Sequence, residues 1–140
     1  MIQQTKTENQ TIGLGKKLAK NFKGGEVIIL TGQLGSGKTV LTKGIAQGLK
    51  SKNIVNSPTF VLMKIYQTAR PPIKQLVHID CYRLPDPDQL AAIGITEYFN
   101  RPDTVTIIEW GEKIKSLLPK KYLTIKIEIL KNNLRKITVK

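Results

Sequence analysis

At 140 residues, 40% of them hydrophobic and 24% charged, the chain suits one compact domain, residues 1–140, able to bury a core without disulfide staples. No apolar run approaches the ~20 residues of a membrane helix and no export signal opens the chain, so a cytoplasmic protein without membrane attachment is expected. The net charge of +13 favours polyanions such as RNA or an acidic protein partner, yet the 23 Lys and Arg are dispersed and not interleaved with aromatics as in a single-strand reader.

In "TIGLGKKLAKNFKGG", Leu14, Leu18 and Phe22 recur at four-residue spacing, which predicts a short amphipathic helix capped by Thr11 and closed by Gly24 and Gly25. "VIIL" is a continuous aliphatic run, the pattern of a strand covered on both faces. It feeds directly into "GQLGSGKT", after which Leu41, Ile45 and Leu49 share one helical face. "TFVLMKIY" and "QLVHID" read as strands joined hairpin-fashion across "QTARPPIK", where Pro71 and Pro72 cannot donate ladder hydrogen bonds. In "DPDQLAAIG", Asp86 suits an N-cap, Pro87 the first helical position, Gln89 a capping box and Gly94 the helix end. "TVTIIEW" predicts another buried strand, and "YLTIKIEIL" followed by "LRKITVK" alternates as half-exposed antiparallel strands do, with a turn at "KNN". The expected class is therefore α/β with a mixed sheet. Cys81, the only cysteine, cannot form an internal disulfide and reads as a packing residue.

Gly32, Gly37, Lys38 and Thr39 satisfy G-x-x-x-x-G-K-[ST], and the strand before and helix after supply the context that motif requires. The glycines let successive backbone N–H groups turn toward phosphate oxygens, and the helix N-terminus adds a favourable dipole. The expected nucleotide contacts are Gly35, Ser36, Gly37, Lys38, Thr39 and Val40, with the Lys38 ammonium on the β and γ phosphates and the Thr39 hydroxyl on magnesium. A metal carrying phosphates also wants a carboxylate at a strand end, where ligands gather in open α/β sheets. Asp80 closes "LVHI" and Glu109 closes "TVTII". One of them should hold the metal through its water shell and the other orient the attacking water or a switch segment, and spacing does not decide between them. Thr59, in "NSPTF", stands where a segment that closes over the γ-phosphate is expected. Trp110 follows Glu109 and should lie near the nucleotide. His78 shares a strand face with Asp80 but has no other His or Cys to complete a metal set. Arg83 would stabilise phosphate charge, grip a partner or form a surface ion pair.

Taken together, "LGKKLAK", "VIILTGQLGSGKT", "SPTF", "HIDCYRL", "AAIGITEYF" and "IIEWGE" resemble the TsaE (YjeE) family of bacterial P-loop ATPases, in the family's order over most of residues 11–114. The resemblance implies a P-loop NTPase fold with a mostly parallel central sheet flanked by helices and antiparallel strands. It further implies binding of ATP and Mg²⁺, weak partner-dependent hydrolysis, and support of tRNA threonylcarbamoyladenosine modification through the proteins TsaB and TsaD, with tRNA reached through that complex. By position, Lys38 and Thr39 match the family's phosphate and magnesium residues, Thr59 its switch threonine, Asp80 its Walker-B-like acid, Glu109 its second metal-associated acid, and Trp110 the adjoining tryptophan. Lys38, Asp80 and Glu109 are thereby the expected catalytic set, with Thr39 and Glu109 on the metal. Gln33 stands where the family usually has Asp, and Ser36 where it commonly has Ala. Two other functions compete. A small-molecule kinase would want an arginine-rich lid, whereas Arg70, Arg83, Arg101 and Arg135 are dispersed. An RNA-binding module would use the positive charge and keep nucleotide as a structural ligand.

Overall fold

Every second residue of a strand faces the same side of its sheet, so a strand that is apolar throughout must be covered on both sides. Three strands buried over most of their length occupy the centre of the computed structural model, which describes residues 1–56, 62–84 and 86–140. They are β2 (Val27–Thr31), β4 (Ile73–Asp80) and β5 (Thr104–Glu109). With β1 (Ile2–Thr5), β3 (Met63–Arg70), β6 (Leu123–Ile129) and β7 (Arg135–Val139) they form one seven-stranded sheet in the order β1-β7-β6-β2-β5-β4-β3. The four strands β6-β2-β5-β4 run parallel, and the two edges are antiparallel. The predicted mixed sheet is the observed one.

One face of the sheet is covered by α1 (Glu8–Ala19) and α2 (Lys38–Gly48), which bury Leu14, Leu18, Leu41 and Ile45 against Ile28, Leu30 and Ile107. The other is covered by α3 (Asp88–Ala92) and two 3-10 segments, Ile95–Tyr98 and Gly111–Leu117, through Leu90, Ile95 and Ile114. At roughly 1.5–3 kcal/mol for each fully buried aliphatic side chain, these two layers supply most of the driving force. Cys81 lies in the second layer, fully buried, and burial pushes its thiol up to about 12. Its thiol should therefore stay inert to a thiol-titrating reagent in the native protein and react stoichiometrically only in denaturant.

Helices α1 and α2 cross with backbones almost touching. A Cβ added at Gly44 would fall 2.3 Å from the Ile12 carbonyl oxygen, and one at Gly15 2.6 Å from that of Leu41. Backbone cannot yield as a side-chain tip can, so Gly44→Ala should destabilise the protein by about 1–3 kcal/mol, read as a lower urea midpoint at unchanged slope. Because α2 begins at the glycine loop, this contact also anchors the loop.

The structure corrects several boundaries. Helix α1 starts at Glu8 and is capped by Thr7, whose hydroxyl accepts from the Gln10 amide at 3.1 Å. Thr11, expected as the cap, is buried within the helix and bonded through its hydroxyl to that of Thr5 at 2.8 Å. Four-residue spacing locates an apolar face but not the turn that precedes it. Strand β1 was not expected, since "IQQT" has no apolar alternation; pairing with β7 creates it. The β3–β4 connection is only Pro71 and Pro72, because Thr68 stays buried in β3 and bonds the Ile73 carbonyl at 3.0 Å. The part of the predicted strand at Thr59, Phe60 and Val61 lies outside the described residues. Helix α3 starts one residue later than expected, at Asp88 with Pro87 in the cap position; the Asp86 carboxylate, one residue before the cap, accepts from the Asp88 amide at 2.9 Å, and the left-handed Gly94 lies beyond the other end.

Candidate functional site

The loop from Gly32 to Gly37 joins the C-terminal end of central strand β2 to the N-terminus of α2. Gly35 and Gly37 adopt φ of 77° and 108°, a left-handed region that disfavours side chains, so the turn depends on glycine there. Inside the loop the Ser36 amide donates to the Gln33 carbonyl at 3.1 Å, and the Ser36 side chain is fully buried. Ser36 thus supports the turn from below. The amides of Gly35 and Gly37 donate to no backbone carbonyl among the described residues. They are therefore available, with the first turn of α2, to an anion.

Lys38 folds back over this loop. Its Nζ donates to the Gly32 and Gln33 carbonyls at 2.8 and 2.9 Å and lies 4.8 Å from the centre of the Trp110 ring. Burial lowers its pKa, against the opposing pull of Glu109, Asp80 and Glu112. Trp110 packs in turn on Tyr82, ring centres 5.2 Å apart, and Lys113 reaches the Tyr82 ring and its carbonyl.

The two strand-end acids meet beside the lysine. Parallel pairing of β4 with β5 sets Asp80 directly opposite Glu109. Thr39 Oγ1 donates to Glu109 Oε1 at 3.4 Å, and His78 Nε2 lies 3.6 Å from the same oxygen. Burial pushes Glu109 up, but the imidazole of His78 and the ammonium of Lys38 outweigh it and hold the carboxyl below its ordinary range. Asp80 moves the other way: burial and the neighbouring Glu109 charge raise it, although the Tyr82 amide donates to Oδ1 at 2.9 Å. Two adjacent carboxyls oppose each other's ionisation, and the one nearer the cations ionises more readily. A hydroxyl and a carboxylate in contact form an oxygen-only pair, which suits a hard cation such as magnesium.

Expected residues are thus brought together in Lys38, Thr39, Asp80, Glu109 and Trp110, on a floor of Gly35, Ser36 and Gly37. Val40 lines a cavity of about 230 Å³ on the outer side of the loop, with Thr11, Gly35, Gly37, Thr39 and Arg135. Thr59 lies outside the described residues. Arg135 carries no local signal for this place: it starts β7 and reaches back to donate from Nε to the Ser36 carbonyl at 2.8 Å, bracing the loop. A larger groove of about 390 Å³, lined by Gly24, Gly25, Asn100 and Tyr122, sits at the starts of β2 and β6 and holds none of these residues.

Sheet order, loop and strand-end acids define the class: a helix-flanked α/β protein with a mixed seven-stranded sheet, whose parallel centre carries the glycine loop and both acids at C-terminal strand ends. The family model described as Threonylcarbamoyl adenosine biosynthesis protein TsaE matches residues 5–137. The tRNA threonylcarbamoyladenosine biosynthesis protein TsaE of Bacillus subtilis is 38% identical over 135 residues, 96% of this chain and 82% of that one. Its counterpart in Aquifex aeolicus is 38% identical over 135 residues, 95% of this chain and 90% of that one. The crystal structure of Bacillus subtilis YdiB superposes with a TM-score of 0.81 at 32% identity, covering 99% of this chain and 83% of that one. The chain belongs to the TsaE family, and thereby to tRNA threonylcarbamoyladenosine biosynthesis.

Proposed function

We propose that this protein binds ATP with Mg²⁺ at the glycine loop, hydrolyses it weakly, and acts in threonylcarbamoyladenosine formation on a complex of TsaB and TsaD. The observation that carries the reading is the convergence of Lys38, Thr39 and Glu109 at the N-terminus of α2, where the Thr39 hydroxyl already touches the Glu109 carboxylate at 3.4 Å. Backbone amides and the Lys38 ammonium would take the phosphates. Thr39 and Glu109 would hold magnesium, which would offset the charge of the phosphates. The cavity bounded by Thr11, Val40 and Arg135 adjoins the loop and offers room for the nucleoside. Asp80, held protonated more readily than an ordinary aspartate, suits the residue that orients the attacking water, and Glu109 suits the metal.

A partner would accelerate turnover by excluding water from the site and completing the constellation. Calorimetric titration with Mg-ATP tests the binding, and phosphate release with and without TsaB and TsaD tests the coupling. Absence of ATP affinity would remove the reading, whereas ATP affinity with turnover indifferent to the partners would remove only the coupling.

A further inference from the structure

We infer that His78 is a positioning residue that aims the carboxylate of Glu109, an inference that rests on the proposed magnesium role of that acid. His78 is fully buried in β4, on the same sheet face as the apolar Leu76 and paired in register with Ile107. Packing alone would be better served there by an aliphatic or phenyl side chain, because a buried polar ring without partners loses the hydration of its nitrogens. Among the described residues, neither ring nitrogen makes a hydrogen bond. The nearest charge is Glu109 Oε1, 3.6 Å from Nε2, inside ion-pair range and about half an ångström beyond a good hydrogen bond.

The geometry assigns a division of the two oxygens. Thr39 Oγ1 and His78 Nε2 both address Oε1, one from the loop helix and the other from the neighbouring strand. A hydroxyl at 3.4 Å and an imidazole nitrogen at 3.6 Å from the same oxygen bias the carboxylate's last torsion, so that Oε2 is turned away from both. Outer-shell donors of this kind typically change metal affinity about 10- to 100-fold when removed. The arrangement demands a proton on Nε2, since a bare lone pair there would repel the carboxylate.

His78 is the only histidine in the chain, so its imidazole signals in a nitrogen-labelled NMR spectrum are unambiguous. We expect Nε2 to carry a proton, and its resonance to move on Glu109→Gln. A proton on Nδ1 alone would overturn the assignment, and this measurement needs neither ligand nor a His78 variant. In parallel, His78→Phe keeps the ring's bulk and removes its nitrogens. Its ATP affinity in EDTA should match the wild type, while the gain in affinity brought by Mg²⁺ should shrink about tenfold, with partial rescue in His78→Gln. The double variant with Glu109→Gln should lose no more than Glu109→Gln alone. An undiminished magnesium gain in folded His78→Phe, or additive losses in the double variant, would overturn the inference. A wild type with Nε2 protonated and sensitive to Glu109→Gln, yet with no magnesium-dependent ATP affinity, would instead refute the proposed function and leave the His78–Glu109 contact standing.

Discussion

Lys38→Ala is expected to reduce Mg-ATP affinity by more than about a hundredfold, measured calorimetrically, in a protein that still folds. The ammonium lies against the Gly32 and Gln33 carbonyls of the loop, at 2.8 and 2.9 Å, and a triphosphate would replace those carbonyls as its partner. Hydrogen bonds to charged groups contribute about 1.5–3 kcal/mol each, so loss of contacts to two phosphates accounts for a change of that size. Burial lowers the Lys38 pKa, and a nearby phosphate charge would act against that shift as Glu109, Asp80 and Glu112 already do. Alanine also leaves the Gly32 and Gln33 carbonyls without their donor and uncovers Trp110, so a modest drop in thermal stability should accompany the loss of binding. Wild-type affinity in this variant would contradict the assignment of Lys38.

The second large effect is expected at Glu109. Glu109→Gln keeps the shape and a hydrogen bond acceptor for Thr39 but removes the charge. Phosphate release in the partner complex should fall about 10²- to 10³-fold, while ATP affinity without magnesium should stay equal or improve as a negative charge leaves the phosphate site. Asp80→Ala should likewise impair hydrolysis more than binding. Partner-stimulated turnover that survived both changes would remove the carboxylate assignment.

These two acids also make opposite contributions to acid stability. Folding lowers the pKa of Glu109, so its stabilisation is complete above the ordinary glutamate range and is lost as pH falls through the lowered value. Folding raises the pKa of Asp80, so protonation there favours the folded state as pH falls through the raised value. Asp80→Asn should therefore steepen acid destabilisation relative to wild type, and Glu109→Gln should flatten it, both read as urea midpoints across the acidic range.

Much of this site was legible along the chain because its parts are local. A glycine turn, the following Lys38 and Thr39, and a buried run before them are consecutive, and backbone geometry alone forces consecutive residues into one loop and one helix start. Asp80 and Glu109 were legible for a related reason: each ends an apolar run, and parallel strands of an α/β sheet bring such ends to the same edge. Which acid ionises more readily was not readable from spacing. That depends on distances to His78 and Lys38, which only the β4–β5 register and the return of the loop helix create.

Arg135 and Thr11 mark the limit of local reading. Arg135 stands 99 residues after Ser36 and meets its carbonyl only because β6 and β7 pack beside β2, a choice made by sheet order. Thr11 suited a helix cap by spacing but turned inward once Thr7 took the extended conformation a cap requires. The amino-acid order by itself determined the glycine loop, its flanking strand and helix, and the two strand-end acids, since these follow from periodicity and short-range sterics. Tertiary structure alone decided the brace behind the loop, the pairing of His78 with Glu109 and the unequal ionisation of the acids, because each is a through-space interaction between elements whose separation in sequence carries no record of their distance.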